Sequence, residues 1–334
     1  MASRNITIVG AGILGLWQAL TLARAGHRVS LFEASDEPFA ATASRHAGAM
    51  LAPDCEAEAA PPLVRDLGYE GLALWRATYP HLENAGTLVV AAARDQPDLT
   101  RFARHTVRHA TLDARAIAAL EPDLEGRYER ALYFADEAHM TVPHALTFLL
   151  QKSKEAEAEI RFATTWQQNQ NASADLVIDC RGLAARSELP ALRGVRGERL
   201  LIRTHEIKLS RPVRLLHPRH PLYVVPWTEG RFLIGATVIE SEDPGPMTVR
   251  SALELLGTVY ALHPAFGEAE ILETGAGIRP AFPDNVPRAL ARGDGRHIFV
   301  NGAYRHGYLL APVLAKAVAE HIATGATHPL IQRH

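Results

Sequence analysis

A glycine-rich turn near the start of the chain constrains the fold more than any other feature of the sequence. Gly10, Gly12 and Gly15 stand between a short β-branched run at 5–10 and a helical pattern at 13–25. In such a strand–turn–helix, the first glycine makes a tight turn, the second lets a pyrophosphate approach the backbone, and the third lets helix and strand pack closely. The helix start adds free N–H groups and the positive end of its dipole. The turn therefore predicts that the chain binds a dinucleotide.

An apolar run at 28–33 completes a βαβ unit and ends in an acidic residue. Gly26 lies where the helix should end, and a parallel pair of strands requires such a crossover helix. Glu33, at the tip of the second strand, falls where a carboxylate accepts hydrogen bonds from the adenosine ribose. The motif does not by itself distinguish FAD from NAD, and a glycine turn used only for close packing is the structural alternative.

Further strand patterns indicate two kinds of sheet. Buried strands at 174–182 and 297–302, with a helix at 308–323, match the nucleotide-binding type. A separate mixed or antiparallel sheet is predicted by apolar runs at 86–92, 131–135, 197–203, 222–225 and 231–238. Helical patterns cover 62–79 and 142–155.

We therefore predict an α/β fold, in which a discontinuous Rossmann-type domain carries an inserted mixed-sheet α+β substrate domain. The nucleotide-binding domain is expected at 1–80, 140–192 and 290–334, and the substrate domain at 81–139 and 193–289.

Composition indicates small-molecule partners. With 35 basic and 37 acidic residues the formal charge is −2, so no global field would concentrate nucleic acid or an anionic membrane. No apolar stretch approaches the roughly 18 uninterrupted residues of a membrane span. The two cysteines, Cys55 and Cys180, are too few for a disulfide framework and have no metal-ligand spacing. We expect a cytoplasmic protein with reduced cysteines and no metal, nucleic acid or membrane partner.

Six segments together resemble the FAD-dependent D-amino acid oxidase family, and most closely its glycine oxidase branch from thiamine biosynthesis. The segments are VGAGILGL at 9–16, SRHAGAMLAP at 44–53, VRGE at 195–198, YVVPWTEGRFLIGAT at 223–237, GAGIRPAFPDNVP at 275–287 and NGAYRHGYLLAP at 301–312. Their order and separations are those of the family, and the resemblance extends over nearly the whole chain. The resemblance implies FAD as the cofactor, bound noncovalently because no attachment cysteine lies in 279–287.

The resemblance also implies three catalytic residues. Arg279 corresponds to the arginine that binds the substrate carboxylate, Tyr223 to the tyrosine that assists it, and Arg305 to an arginine beside substrate and flavin. A guanidinium fork matches a carboxylate bidentately. The structural alternatives are an ion pair for Arg279, a plain sheet aromatic for Tyr223, and a solvated or carboxylate-paired side chain for Arg305.

The cofactor-binding residues follow from the turn and from the resemblance. In the family, the last strand, loop and helix close over the flavin ring, and backbone N–H groups there suit the negative charge of the reduced flavin. We expect contacts with FAD from Gly10, Gly12, Ile13, Leu14, Gly15, Glu33, Ala34, Thr42, Ala43, Ala47, Gly48, Ala49, Met50, Trp166, Cys180, Gly182, Ala303, Tyr304, Arg305, His306, Gly307, Tyr308 and Leu309.

The chain also departs from the family pattern, and these departures bear on substrate preference. Ala303 stands where the family usually has His, and His306 where it has Asn. Glycine oxidases have a polar residue where this chain has Pro221. His306 can be interpreted as a general base or as a hydrogen-bond donor at the flavin edge, and we favour the donor because hydride transfer needs no base.

The predicted function is oxidation of glycine or another small amino acid to its imino acid. Hydride passes to flavin N5, oxygen is reduced to hydrogen peroxide, and the imine serves thiazole formation in thiamine biosynthesis. The alternatives are a D-amino acid or sarcosine-type oxidase, a dehydrogenase with another electron acceptor, and a noncatalytic FAD-binding subunit. The sequence leaves a homo-oligomer open.

Two other enzyme classes fit less well. A flavin monooxygenase places a Gly-Asp pair after the late strand, whereas Gly293-Asp294 precedes 297–302. An NAD(P)-dependent dehydrogenase does not suit one discontinuous nucleotide unit with a flavin-capping loop.

Bulky residues near the predicted site suggest a small substrate. If they crowd the site, glycine and sarcosine should react faster than D-amino acids with large side chains, because overfilling a packed pocket costs ~1–3 kcal/mol. The residues that flank the predicted site are Tyr223, Trp227, Phe282, Tyr304 and His306, and the structural alternative is that some of them are core aromatics.

Overall fold

The computed structural model describes residues 3–167 and 174–333. The helices are α1 (Ile13–Arg24), α2 (Pro53–Glu56), α3 (Pro62–Thr78), α4 (Gln96–His105), α5 (Ala114–Leu120), α6 (Val142–Glu155), α7 (Val249–Leu262) and α8 (Gly307–Thr324). The strands are β1 (Asn5–Val9), β2 (Arg28–Phe32), β3 (Met50–Leu51), β4 (Thr87–Ala91), β5 (Ala110–Asp113), β6 (Arg130–Phe134), β7 (Ala138–His139), β8 (Glu159–Arg161), β9 (Leu176–Asp179), β10 (Arg193–Arg203), β11 (Val213–Leu216), β12 (Leu222–Pro226), β13 (Arg231–Gly235), β14 (Glu270–Ala281), β15 (Arg288–Ala291), β16 (His297–Asn301) and β17 (Ile331–Arg333).

One sheet has seven strands in the order β17-β15-β16-β9-β1-β2-β8. Strand β1, in the interior of this sheet, runs parallel to both β2 and β9. Ile6, Ile8 and Ile178 are buried in one core with residues of α1, α6 and α8. Because helices cover the parallel strands, the interior strand β9 is buried along its whole length. This sheet is of the Rossmann type that the first βαβ unit predicts.

The second sheet has eight strands in the order β14-β10-β13-β12-β11-β4-β6-β5. It is mixed, since β11 and β4 are parallel while the other pairs are antiparallel. On one face, Leu200 and Val224 pack with Leu255 and Val259 of α7. Because strand residues alternate, neighbouring positions such as Tyr223 face the opposite side, toward the seven-stranded sheet.

The structure confirms the predicted fold class and the predicted elements. Gly26 follows α1 with φ +86°, and Gly325 ends α8 with φ +72°, the left-handed conformation that a helix C-terminus favours. The domain boundaries stay a prediction, and the one at 289/290 falls inside β15. None of the helices in the described residues is both long and apolar enough to cross a bilayer.

Candidate active site

A cavity of about 970 Å³ lies where the two sheets meet. At one end its wall consists of the glycine turn and Glu33, and at the other of Tyr223 and Arg279 from the eight-stranded sheet. Ligand pockets typically measure about 300–1,000 Å³. The cavity therefore joins the predicted nucleotide site to the predicted substrate site.

The glycine turn is packed too closely for any side chain. Gly10 has φ +98°, and a Cβ atom there would lie 2.9 Å from the carbonyl oxygen of Cys180. A Cβ at Gly15 would lie 1.9 Å from the carbonyl oxygen of Gly10. Gly15 thus brings α1 against β1, and the start of α1 faces the cavity through Gly12 and Ile13. A helix N-terminus placed in this way suits an anionic phosphate.

The Glu33 carboxylate is held in place at the end of β2. Its Oε2 accepts a hydrogen bond from the Ala11 N–H at 2.8 Å, and its Oε1 accepts one from the Ser35 N–H at 3.1 Å. A carboxylate has about four acceptor sites, so each oxygen keeps one for a ligand hydroxyl. These residues therefore fit an adenine dinucleotide, with its ribose on Glu33 and its pyrophosphate on the turn.

Most of the predicted cofactor-binding residues line this cavity. Gly15, His306 and Leu309 do not, and each lies behind its wall. Gly15 packs on Gly10, and Leu309 packs against Gly68 and Gly71 of α3. The residues that line the cavity are Gly10, Gly12, Ile13, Leu14, Glu33, Ala34, Thr42, Ala43, Ala47, Gly48, Ala49, Met50, Trp166, Cys180, Gly182, Ala303, Tyr304, Arg305, Gly307 and Tyr308.

The loop between β16 and α8 is tied to the eight-stranded sheet. The Tyr304 N–H donates to the carbonyl oxygen of Pro280 at 2.8 Å, next to Arg279 on β14. Tyr304 has φ +45°, which is uncommon for a residue with a side chain, and strained residues of this kind cluster at functional sites. The contact brings Arg305 to the same end of the cavity as Arg279.

Arg279 has no carboxylate partner in the described part of the chain. Its Nη1 donates to the carbonyl oxygen of Thr237 at 3.2 Å, and no described acidic group forms a salt bridge with it. Burial lowers the pKa of Arg279 from its ordinary value. The nearby Tyr223 raises this pKa, and the nearby Arg305 lowers it further. Within residues 3–167 and 174–333, Arg279 therefore has no ion pair that would give it a purely structural role. A guanidinium left open in a cavity is suited to a ligand carboxylate.

The Tyr223 ring stands between two glycines at the same end. A Cβ at Gly48 would lie 2.7 Å from Tyr223 Cε2, and one at Gly235 would lie 2.7 Å from Tyr223 Oη. Burial raises the pKa of the phenol, while nearby Arg279 and Arg305 lower it. The phenol is thus a neutral hydrogen-bonding group close to both arginines.

Glu56, at the end of α2, belongs to this site although the sequence did not indicate it. Its Oε1 lies 3.5 Å from Arg305 Nη2 and 3.7 Å from Arg214 Nη1, and its Oε2 lies 3.6 Å from His306 Nδ1. Burial opposes ionisation of Glu56, but these three groups hold its pKa below the ordinary value. Arg305 is therefore the carboxylate-paired arginine that the sequence left open.

The surrounding sequence explains why Glu56 was missed. The stretch 53–62, with its three prolines and several alanines and acidic residues, is typical of a solvated loop. In the structure Cys55 donates its N–H to buried Glu137 at 2.8 Å, which fixes the backbone next to Glu56. Pro53, the last residue of the family-like segment 44–53 and the first residue of a helix, was the available signal.

The structure corrects the prediction about crowding. Tyr223 and Tyr304 line the cavity, but Trp227, Phe282 and His306 do not. Phe282 covers Gly302, where a Cβ would lie 2.1 Å from the ring, and the Arg288 guanidinium stacks on it at 4.6 Å. Trp227 packs against the core around the seven-stranded sheet. Of the five bulky residues named from the sequence, only Tyr223 and Tyr304 therefore line the cavity.

Comparison with known proteins agrees with this architecture. A family model described as FAD dependent oxidoreductase, DAO, matches residues 5–321. A Rhizobium etli protein, named provisionally as the thiamine biosynthesis oxidoreductase ThiO, is 50% identical over 97% of this chain and 98% of its own. Glycine oxidase from Geobacillus kaustophilus is 25% identical over 95% of this chain and 92% of its own.

A solved structure has the same fold. The crystal structure of glycine oxidase from Geobacillus kaustophilus superimposes with a TM-score of 0.83 at 22% identity, covering 97% of this chain and 96% of that chain. At this identity the likeness concerns the fold alone.

Proposed function

Because the chain belongs to the DAO family of FAD dependent oxidoreductases, we propose that it oxidises glycine and other small amino acids and passes the electrons to oxygen. FAD is its cofactor. The observation that carries the proposal is the open guanidinium of Arg279, which lines the cavity without a carboxylate partner in the described residues. An amino acid supplies the missing carboxylate.

Arg279 and Tyr223, at the substrate end of the cavity, bind the carboxylate of the substrate. Arg279 takes the carboxylate in a bidentate hydrogen bond, and Tyr223 donates its hydroxyl to the same group. Holding the carboxylate orients the α-carbon, and a correctly held geometry removes several kcal/mol of the barrier. Arg305 remains beside them, and its charge is partly balanced by Glu56.

FAD, when bound, supplies the acceptor for the hydride that leaves the α-carbon. The substrate also loses a proton from nitrogen and becomes an imino acid, while oxygen takes up two electrons and two protons as hydrogen peroxide. Backbone N–H groups of the loop at 303–309 would lie against the flavin ring and stabilise negative charge on it. We propose noncovalent binding of FAD, because the thiols of Cys55 and Cys180 are buried and burial raises the pKa of each.

The name of the Rhizobium etli relative supports a role in thiamine biosynthesis. At 50% identity over almost the whole of both chains, a shared reaction is the simplest interpretation. The chain would then supply the imino acid derived from glycine to thiazole formation.

A substrate panel with two electron acceptors tests the proposal. Purified holoenzyme is given glycine, sarcosine, D-alanine or D-phenylalanine in air, with peroxide as the readout, and then under nitrogen with a redox dye. We expect peroxide from glycine and sarcosine, less from D-alanine and little from D-phenylalanine. Turnover with the dye alone would overturn the use of oxygen, and turnover limited to D-phenylalanine would overturn the substrate class.

A further inference from the structure

The carboxylate of Glu56 lies in the wall of the cavity with no hydrogen-bond donor close to it. Its charged or polar neighbours are Arg305 at 3.5 Å, His306 at 3.6 Å and Arg214 at 3.7 Å. These distances exceed the roughly 2.7–3.2 Å of an N–H···O hydrogen bond, and no described residue donates one to this carboxylate. A largely buried carboxylate without donors is costly, so Glu56 is suited to a ligand that supplies them.

Glu56 also stands beside the residues that we propose to bind the substrate carboxylate. Arg214 on β11 is paired directly with Tyr223 on β12, so their side chains share the face of the sheet that borders the cavity. Glu56 lies against Arg214 on one side and against Arg305 on the other. Burial raises the pKa of Tyr223, the charge of Arg279 lowers it, and the charge of Glu56 raises it. The open guanidinium of Arg279 and the carboxylate of Glu56 are thus both close to one phenol.

The other carboxylates that line the cavity in the described residues lie elsewhere. Glu33 belongs to the nucleotide end, where it accepts hydrogen bonds from two backbone N–H groups. Glu58 and Asp98 lie 3.6 Å and 3.4 Å from the guanidinium of Arg101, whose side chain is 62% exposed. They are therefore on the solvent side of the cavity. At the substrate end, Glu56 is the acidic group.

We propose that Glu56 binds the amino group of the substrate, a proposal that rests on the proposed oxidation of amino acids. A free amino acid carries an ammonium next to a carboxylate, and the substrate end offers one open group of each opposite charge. Arg279 takes the carboxylate, and Glu56 accepts hydrogen bonds from the nitrogen, which has up to three N–H donors. Glu56 continues to accept a hydrogen bond from the neutral amine once a proton has left. Two fixed points then orient the α-carbon.

This contact selects amino acids over other small carboxylic acids. Propionate has the shape of glycine, with a methyl group in place of the ammonium. It leaves Glu56 without a donor and adds only negative charge near it, so Glu56 attracts glycine and repels propionate. A Glu56 that only balanced the charges of Arg214 and Arg305 would repel propionate in the same way but would not hold glycine.

The two ligands of equal shape test the proposal on the holoenzyme. Perturbation of the flavin absorbance gives the affinity for propionate. The glycine concentration that gives half the maximal rate of anaerobic flavin bleaching reports glycine binding. Glu56→Gln should bind propionate about two- to fivefold more tightly, because a negative charge is removed. It should bind glycine at least about tenfold more weakly, because a charge-assisted hydrogen bond is lost.

Two further variants separate contact with the amino group from a change in charge. Glu58→Gln removes the same charge from the solvent side of the cavity and should leave glycine binding as in wild type. Glu56→Asp keeps the charge beside the arginines but withdraws it by one methylene. It should bind propionate as wild type does and bind glycine more weakly, and it replaces Glu56→Gln if that variant loses FAD.

Opposite shifts for the two ligands in Glu56→Gln are the expected result. Glycine binding that is unchanged, a shift of both ligands in the same direction, or an equal loss of glycine binding in Glu58→Gln would overturn the proposal. Glycine binding by Glu56→Asp equal to that of wild type would also overturn it. A wild type that glycine does not bleach contradicts the proposed function instead, and glycine binding is then measured by absorbance perturbation, as for propionate.

Discussion

The guanidinium of Arg279 lies directly over the α-carbon of Gly197 on the neighbouring strand. A Cβ at 197 would be 2.0 Å from Arg279 Nη2 and 2.1 Å from Cζ. Both residues line the cavity, and the register places Gly197 opposite Gly277, two residues before Arg279. Glycine at 197 therefore makes room for the group that we propose to bind the substrate carboxylate.

Replacing Gly197 by alanine should displace the Arg279 fork while leaving the flavin site intact. Since one charge-assisted contact is lost, kcat/KM for glycine should fall by on the order of 2–3 kcal/mol, roughly 30- to 150-fold. FAD content, measured by absorbance, should stay that of wild type. Gly293→Ala is the control, because a Cβ there meets nothing within 4 Å. Equal kcat/KM for Gly197→Ala and wild type would contradict this account of the Arg279 position.

Arg279→Lys should retain FAD and lose turnover. Lysine offers a point charge where arginine offers a planar fork, and loss of a bidentate contact should cost about 2–4 kcal/mol in kcat/KM. Steady-state kinetics with the best substrate measures the loss. Arg292→Lys, at an exposed position, should behave as wild type. An Arg279→Lys enzyme with full activity would exclude Arg279 from the substrate site.

Glu56→Gln should make the cavity more attractive to anions. The change removes the carboxylate beside Arg305 and Arg214, so two guanidinium groups lose their counter-charge. The affinity for a dianion such as malonate should increase more than the affinity for acetate, by on the order of 1 kcal/mol or about fivefold. Perturbation of the flavin absorbance reports both affinities. The exposed control Glu125→Gln should change neither affinity. An unchanged ratio of malonate affinity to acetate affinity for Glu56→Gln would contradict the pairing of Glu56 with the two arginines.

Glu137 should make the stability depend on pH in a defined direction. Burial raises its pKa from 4.5 to about 7, although the Cys55 N–H opposes the shift. Between these values the folded chain holds the proton and the unfolded chain releases it. The contribution of Glu137 to the free energy of unfolding is therefore complete below pH 4.5 and is lost as pH rises to about 7.

Glu137→Gln has no such proton to release. Its free energy of unfolding should therefore rise relative to that of wild type as pH rises. The difference in free energy of unfolding should move in favour of the variant by up to about 3 kcal/mol between pH 4.5 and 7.5. Denaturant unfolding at both pH values measures it. The exposed control Glu129→Gln should show no such trend, and a constant difference for Glu137→Gln would refute the assignment.

The sequence predicted the elements whose signals are local. The turn at Gly10 and the alternation around it are complete within about thirty residues, and the structure has the same βαβ unit. Strand β14 was missed because its glycines and proline break the alternation, and it is a strand because it pairs with β10 along its length. Helix α7 was missed because Val249, Leu253 and Tyr260 add apolar positions on its exposed side and obscure the helical spacing of its buried residues.

The site residues likewise divide into those with a local sequence signal and those whose place depends on distant residues. Arg279 and Tyr223 were found because they stand in motifs that resemble a known family. Glu56 was not, since the groups around it, Arg214, Arg305 and His306, lie far from it in the sequence. The crowding prediction failed for Phe282 and Trp227 because sequence proximity does not tell on which side of a strand or loop a ring packs.

Anaerobic mixing of the purified holoenzyme with glycine tests the central claim most directly. If the chain oxidises glycine through FAD, the visible flavin absorbance should disappear without oxygen and return when air is admitted, with glyoxylate and ammonia formed in proportion. Arg279→Lys should bleach far more slowly at the same glycine concentration. A flavin that dithionite reduces but that neither glycine, sarcosine nor D-alanine bleaches would contradict the claim.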